Sequence, residues 1–284
     1  MVYVVALMSA NTDINRPPFS EYWRSVHRGF FDATLNDESI DLEIIYPRGK
    51  YHDYEGILKK GVDCNPDYLV TAFPDERLAY SALKSFKNKI VAIDIPPSQD
   101  IIDHFKGQIL GYVGTNPTLI GTMAAKELME CHHKINWCVI VMHDHRGNFW
   151  KYLAAMQVAD ENSVPSAVVY LEEDPPRATI PFYLKTSNLG VISFNTKGVE
   201  VAEKSIDPEN LKCMVGVDIN EHVVELIEQG RMNCAIVQQP YRIGPAAINM
   251  ILNEPSSYQN VFIDPIVARE DNARMILLDQ QRYW

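Results

Sequence analysis

Seven side chains between positions 131 and 145 are of types that hold zinc: Cys131, His132, His133, Cys138, His143, Asp144 and His145. Their spacing splits them into two groups. The apolar run 137–142 reads as a strand, and six residues at ~3.3 Å each put the flanking groups ~20 Å apart. His143 and His145 fall on alternate sides of an extended segment, so no shared ion is reached and no metal is expected. The signatures of covalent and phosphoryl chemistry are missing too: G-x-S-x-G, G-x-x-x-x-G-K-[ST], H-E-x-x-H and G-x-G-x-x-G are all absent. The chain is therefore not expected to be an enzyme, and no cofactor is expected.

A second set of residues points to binding. Apolar runs end in Ser9 and Asn11, Phe73, Asp94, His143 to Arg146, Asn195, Asp218 and Gln238. In an open α/β sheet, ligands sit outside the carboxyl ends of the strands. Aspartate and asparagine accept or bridge neighbouring hydroxyls, and Gln238 both donates and accepts. Tyr22 and Trp23 open the first helical pattern, where flat faces could stack on a sugar or a heterocycle. Each residue also has a plainer reading. Asp94 precedes Ile-Pro-Pro and could cap a turn, Asp218 could be an N-cap neighbour, and Asn195 could close an Asx-turn. Tyr22 and Trp23 could both be core.

The elements that must carry these residues are short β-branched runs alternating with amphipathic helices. Strands are predicted over 2–8, 42–46, 68–73, 89–94 and 109–113, then over 137–142, 167–171, 189–194, 213–217 and 234–238. Helices are predicted over 22–35, 120–131, 149–162, 221–229 and 243–252. In the first helix Tyr22, Val26, Phe30 and Ala33 recur at helical spacing. Continuous apolar strands between helices imply parallel sheets covered on both faces. Ten strands fall into two runs of five, broken near 114–121 where Pro117 interrupts the pattern, so two doubly wound α/β lobes are expected.

Composition bounds the partners. The 284 residues are 46% hydrophobic and 22% charged, enough for a sizeable core. With 26 Lys+Arg against 37 Asp+Glu, the net charge of −11 repels a phosphate backbone, so nucleic acid is not an expected partner. No apolar run approaches the ~18 residues of a membrane span. Met1 leads straight into the first strand, so the chain is either cytoplasmic or carries a start methionine in place of a leader. The five cysteines are scattered without a disulfide spacing, and several sit in apolar runs as small buried hydrophobes.

Three stretches carry a family likeness. Val215-Gly216-Val217-Asp218, Val224–Gly230 and Ala235–Gly244 together resemble the signature of the type I periplasmic binding proteins, the group that includes ribose- and galactose-binding proteins. Tyr22–Gly29 and Tyr112-Val113-Gly114-Thr115 with Gly121 are similar to two further segments of that family. The effector domains of LacI-type repressors are more distantly similar. The resemblance spans nearly the whole chain and is weakest over 144–187.

The resemblance implies two lobes joined by three hinge crossovers near Thr115–Asn116, Gln238–Gln239 and Val267–Arg269, closing on a ligand. The lobes would be 1–115 plus 239–267 and 116–238 plus 268–284. Carried over position by position, Tyr22 and Trp23 become stacking aromatics, and Asp94, Asn195, Asp218 and Gln238 bind hydroxyls. With Phe73, Asn116 and Arg146, these complete the expected ligand-binding set. Ile95 stands where the family often has arginine, and Trp150, Tyr152, Ala155 and Met156 replace an arginine-containing stretch. That exchange of guanidinium for aromatic surface suits a glycoside or nucleoside as well as a free sugar. The function implied is an extracytoplasmic, periplasmic, monomeric solute-binding protein serving the permease of an ABC transporter. The alternatives are the sensing domain of a membrane receptor or kinase and, third, a LacI-type regulator, whose helix-turn-helix is missing here.

Overall fold

The computed structural model describes residues 1–8, 21–46, 54–131, 135–143, 146–171 and 188–282. Ser9, Asn11, Asp144, His145 and the side chains of His143 and Arg146 lie outside the described residues. The chain forms two compact units.

The first unit is built on a six-stranded sheet of order β11-β5-β4-β3-β1-β2, parallel throughout. Its strands are β1 (Val2–Leu7), β2 (Ile40–Ile45), β3 (Tyr68–Thr71), β4 (Lys89–Ile93), β5 (Ile109–Gly114) and β11 (Gln259–Phe262). They form because their apolar runs can be covered on both faces. Along β1 and just beyond it, Val4, Ala6 and Met8 belong to one core cluster, while Val5 and Leu7 belong to another. The first cluster is closed by α1 (Glu21–Thr34) and α9 (Ile243–Leu252), the second by α2 (Tyr54–Asp63), α3 (Glu76–Leu83) and α4 (Gln99–His104). Where α1 meets the turn before α9, a Cβ on Gly29 would overlap the Tyr241 carbonyl, and one on Gly244 the Phe30 backbone nitrogen. Glycine at both positions permits that close approach.

The second unit repeats the plan. Its sheet has the order β12-β10-β9-β8-β6-β7, from β6 (Trp137–His143), β7 (Ser166–Leu171), β8 (Leu189–Ser193), β9 (Leu211–Val217), β10 (Cys234–Val237) and β12 (Ile266–Ala268). The helices α5 (Pro117–Met129) and α6 (Arg146–Glu161) contribute Ile120, Ala124, Leu128, Ala155 and Ala159 to one core cluster. Also present are α7 (Thr196–Ser205), α8 (Glu221–Glu228) and α10 (Ala273–Gln281). Read strand for strand, β1 to β5 and β6 to β10 share the doubly wound order 2-1-3-4-5.

Three expectations are corrected. The parallel sheet of the second unit carries one antiparallel edge, since β12 pairs with β10 in the opposite sense. The chain enters the second unit at Thr115, leaves it at Gln238, returns at Asp264 and leaves it again after Asp279, so the end of α10, expected in the second lobe, groups with the first. The third crossing therefore precedes Ile266 instead of falling at Val267–Arg269, because β12 is already a strand of the second sheet. The cysteines are also not all free: Cys131, just past α5, is bonded to Cys213 on β9 across 82 positions. Cys64, Cys138 and Cys234 remain thiols.

Candidate ligand-binding site

Asp94 follows β4 immediately and leaves the strand in the left-handed region, at φ 59°. Its N–H still donates to the Val113 carbonyl of β5, at 3.2 Å. The Tyr22 hydroxyl, from the first turn of α1, donates to Asp94 Oδ1 at 2.7 Å. The Tyr112 hydroxyl donates to the Asp94 carbonyl at 2.7 Å. Tyr22 and Asp94 are both partly buried. The carboxylate is thus engaged by another element, α1.

Asp218 repeats this in the second unit. It follows β9, has φ 68°, and its N–H donates to the Ile236 carbonyl of β10 at 3.0 Å. Gln238 Nε2 donates to Asp218 Oδ1 at 3.0 Å, and Gln238 is only 8% exposed. The cap of α8 is Asn220, whose Oδ1 accepts from Val223 N–H, so Asp218 is not spent on capping. Left-handed φ at a non-glycine residue is uncommon and concentrates at functional sites. Here it occurs at the equivalent strand end in both units.

Asn195 stands level with Asp218. Ser193 pairs with Gly216, and two further steps along the parallel strands bring Asn195 beside Asp218. Its Oδ1 caps α7 by accepting from Gly198 N–H at 2.6 Å, which turns the amide NH2 to other partners. Both readings of Asn195 can therefore hold at once. The same register in the first unit pairs Thr71 with Ala92 and places Phe73 level with Asp94.

Three expected site residues have other roles. Phe73 is 0% exposed and packs among Leu7, Leu58 and Tyr112, because an apolar ring at this level is drawn into the core. Trp23 is 6% exposed and belongs to the cluster of Val26, Phe30 and Ile243, so of the two aromatics only Tyr22 reaches the strand ends. Tyr22 meets the Trp23 ring edge-on, with centroids 5.6 Å apart. Asn116 is the N-cap of α5, its Oδ1 accepting from the backbones of Thr118 and Leu119 at 3.0 and 3.3 Å. Arg146 lies in α6, with its side chain outside the described residues.

The sequence reading missed the role of the Tyr112 hydroxyl and the exposure of Phe149, and it named Trp150 only as part of a stretch of aromatic surface. Tyr112 sits inside an apolar strand and gives no outward sign that its hydroxyl serves Asp94. On α6, which starts at the carboxyl end of β6, Phe149 and Trp150 are 42% and 49% exposed, with ring centroids 5.1 Å apart.

Chemically, the gathered groups are carboxylate and amide oxygens, amide N–H groups and a phenol, which suit hydroxyls that donate and accept in turn. Among the described residues, no three His, Cys, Asp or Glu side chains are grouped as a metal ion requires. Of the 131–145 set, Cys131 is bonded to Cys213, and His132, His133, Asp144 and His145 lie outside the described residues.

The family model for the periplasmic binding protein domain matches residues 17–254. No curated protein sequence matches the chain. Among solved structures, it is similar to GanP, a glucose-galactose binding protein from Geobacillus stearothermophilus, with a TM-score of 0.75 at 18% identity over 95% of this chain and 98% of that one. A carbohydrate transporter solute binding protein from Agrobacterium radiobacter, solved with D-arabinose, gives 0.73 at 16% identity over 98% of each chain. The XylFII-LytSN complex contributes a chain with a TM-score of 0.69 at 16% identity, covering 95% of this chain and 98% of its own.

Proposed function

The chain belongs to the periplasmic binding protein domain family, and we propose that it captures a small hydroxyl-bearing ligand and presents it to the permease of an ABC transporter. The observation that carries this reading is the pair of left-handed aspartates, Asp94 and Asp218, at the fourth-strand ends of the two units. Each carboxylate is oriented by a partner side chain, Tyr22 or Gln238, and neither is consumed by a helix cap. Asp94 and Tyr22 would contact the ligand from the first unit, and Asn195, Asp218 and Gln238 from the second. The ligand class we favour is a sugar or a glycoside, with a nucleoside as the third member. Similar solved structures include a glucose-galactose binding protein and a solute binding protein with bound D-arabinose. The exposed Phe149 and Trp150 favour a ligand that also carries a flat or apolar face.

An extracytoplasmic setting is supported by the Cys131–Cys213 bond, since disulfides persist in oxidising compartments. Among the described residues, no helix is long and apolar enough to cross a membrane. A second reading, a sensing domain that passes its liganded state to a membrane receptor, is favoured by the likeness to XylFII, which was solved in complex with LytSN.

A thermal-shift screen against monosaccharides, aryl and alkyl glycosides, nucleosides and autoinducer-2 tests the proposal. A ligand at a hundredfold excess over Kd stabilises the folded state by about 2.7 kcal/mol. A rise of several degrees confined to one chemical class is expected. A flat response to the sugars and glycosides, with a shift for another class, would overturn the sugar reading while leaving the fold untouched.

A further inference from the structure

We propose that Tyr112 is a positioning residue, whose buried hydroxyl holds the Asp94 carbonyl and so fixes the turn that aims the Asp94 carboxylate. The proposal deepens the reading above and rests on it in taking Asp94 as a ligand contact. Tyr112 lies within β5, is 0% exposed, and is among the largest fully buried side chains. A phenol placed there needs a partner. It donates to the Asp94 carbonyl at 2.7 Å, on the strand next to its own.

The geometry explains why that carbonyl needs a donor. The ladder between β4 and β5 shifts register between Ile90 and Val91 and then runs in step from Val91 to Ile93. At Asp94 the backbone turns to φ 59°, keeping its N–H on Val113 while its carbonyl turns out of the ladder. The Tyr112 hydroxyl supplies a donor to that carbonyl in a partly buried setting. Gly114 makes room for it, since a Cβ at that position would fall on the Tyr112 hydroxyl. From the other side, Tyr22 grips Oδ1 at 2.7 Å. Asp94 is therefore clamped twice, at its backbone by Tyr112 and at its carboxylate by Tyr22.

The second unit provides an internal comparison. Asp218 has a similar φ and the equivalent N–H bond, to Ile236, which makes Val113 and Ile236 equivalent, whereas the bond from Ile95 N–H to the Ile93 carbonyl at 2.6 Å is seen on the Asp94 side. Tyr112 then corresponds to Ala235 and Gly114 to Val237. A left-handed aspartate after the fourth strand does not in itself require the tyrosine, so Tyr112 is an addition specific to the Asp94 side. Burial, with the Asp94 charge next, pushes the Tyr112 hydroxyl well above its usual titration, so it stays a donor through the neutral range.

Tyr112→Phe deletes the hydroxyl and keeps the ring. The test has two arms. In the first, the crystal structure of the ligand-free variant should show Asp94 out of the left-handed region or parted from Tyr22; an unchanged Asp94 would overturn the proposal. In the second, binding of D-galactose, D-glucose, D-ribose and D-arabinose is measured by calorimetry for wild type, Tyr112→Phe, Asp94→Ala and the double variant. For a sugar that wild type binds, Tyr112→Phe should weaken affinity about tenfold, and the same change in the Asp94→Ala background should do nothing further. An equal loss in both backgrounds would mean that Tyr112 acts through general packing and would refute positioning. Gly114→Ala, which displaces the hydroxyl without deleting it, should weaken binding in the same sense. If wild type binds none of the four sugars, it is the ligand reading that fails, and the crystallographic arm still decides the clamp.

Discussion

Breaking the Cys131–Cys213 bond should destabilise the second unit more than any surface substitution. The bond ties the end of α5 to β9 across 82 positions. In the chain-entropy account, a loop of that length removes about 15 cal/mol/K from the unfolded ensemble, or about 4.5 kcal/mol at 25 °C. For a unit of this size, that corresponds to a fall in melting temperature on the order of 10 °C. The pairing should also be unique. Val215 of β9 pairs with Cys234 of β10, so Cys234 stands one diagonal step from Cys213 on the same face, yet burial pushes its thiol up to about 12. Cys138, also raised to about 12 by burial, is equally poor as a thiolate, and only thiolates exchange. The assay combines thiol counting in denaturant with calorimetry, with and without reductant and for Cys213→Ser. Three titratable thiols before reduction and five after are expected from the one disulfide and three free cysteines. Five before reduction in protein recovered from an oxidising compartment, or a melting temperature indifferent to reductant, would refute the reasoning and remove the structural support for that compartment.

Four further outcomes follow from the site and its supports. Asp218→Ala removes an acceptor already engaged by Gln238 and should weaken ligand binding by about 1–3 kcal/mol, read by calorimetry. Trp23→Ala should leave a cavity in the α1 cluster and cost about 3–5 kcal/mol of stability, read by denaturant unfolding; a loss of affinity at unchanged stability would return Trp23 to the binding surface. Gln238→Glu sets two carboxylates where an amide met one at 3.0 Å, and both cannot ionise together. Affinity should therefore fall as pH rises through the neutral range, whereas a pH-independent affinity would mean that Gln238 does not serve Asp218. Burial, with Arg28 next, lowers the His27 imidazole from its ordinary 6.5, so the unfolded chain takes up that proton first and stability must fall as pH drops through 6.5. His27→Gln should flatten that acid limb of the melting curve.

Eight inner strands were legible as apolar runs between helices, and the edge strands β2 and β7 because their apolar residues still alternate with polar or exposed ones. The other two edge strands, β11 and β12, were not. In β11 three of four residues are exposed, and β12 is three residues long, so neither offers a run to read. Missing β12 is also what displaced the third crossing. Asp94 and Asp218 were legible as strand-end carboxylates because each ends an apolar strand, where a carboxylate has no packing role. Phe73 was misplaced by the same rule, since a position at a strand end does not say whether its ring turns to the core or outward. Tyr22 and Trp23 are neighbours on α1, and one turn of sequence cannot say which side of Val26 faces the sheet. The disulfide was hidden because its cysteines meet only once α5 lies over β9.

The two aspartates share a left-handed φ but differ in what holds it, and the difference separates fold from function. Had both been clamped by a strand tyrosine, the clamp could be an inheritance of the repeated order 2-1-3-4-5. Instead the first unit spends a fully buried phenol on the Asp94 backbone and a helix tyrosine on its carboxylate. The second spends the side chain of Gln238, the residue at which the chain leaves that unit. The Asp94 clamp is built wholly from secondary-structure elements, α1, β4 and β5, whose packing fixes it before any ligand arrives. Gln238 directly follows β10 and lies in the same unit as Asp218, so the second clamp, like the first, is internal to its own unit.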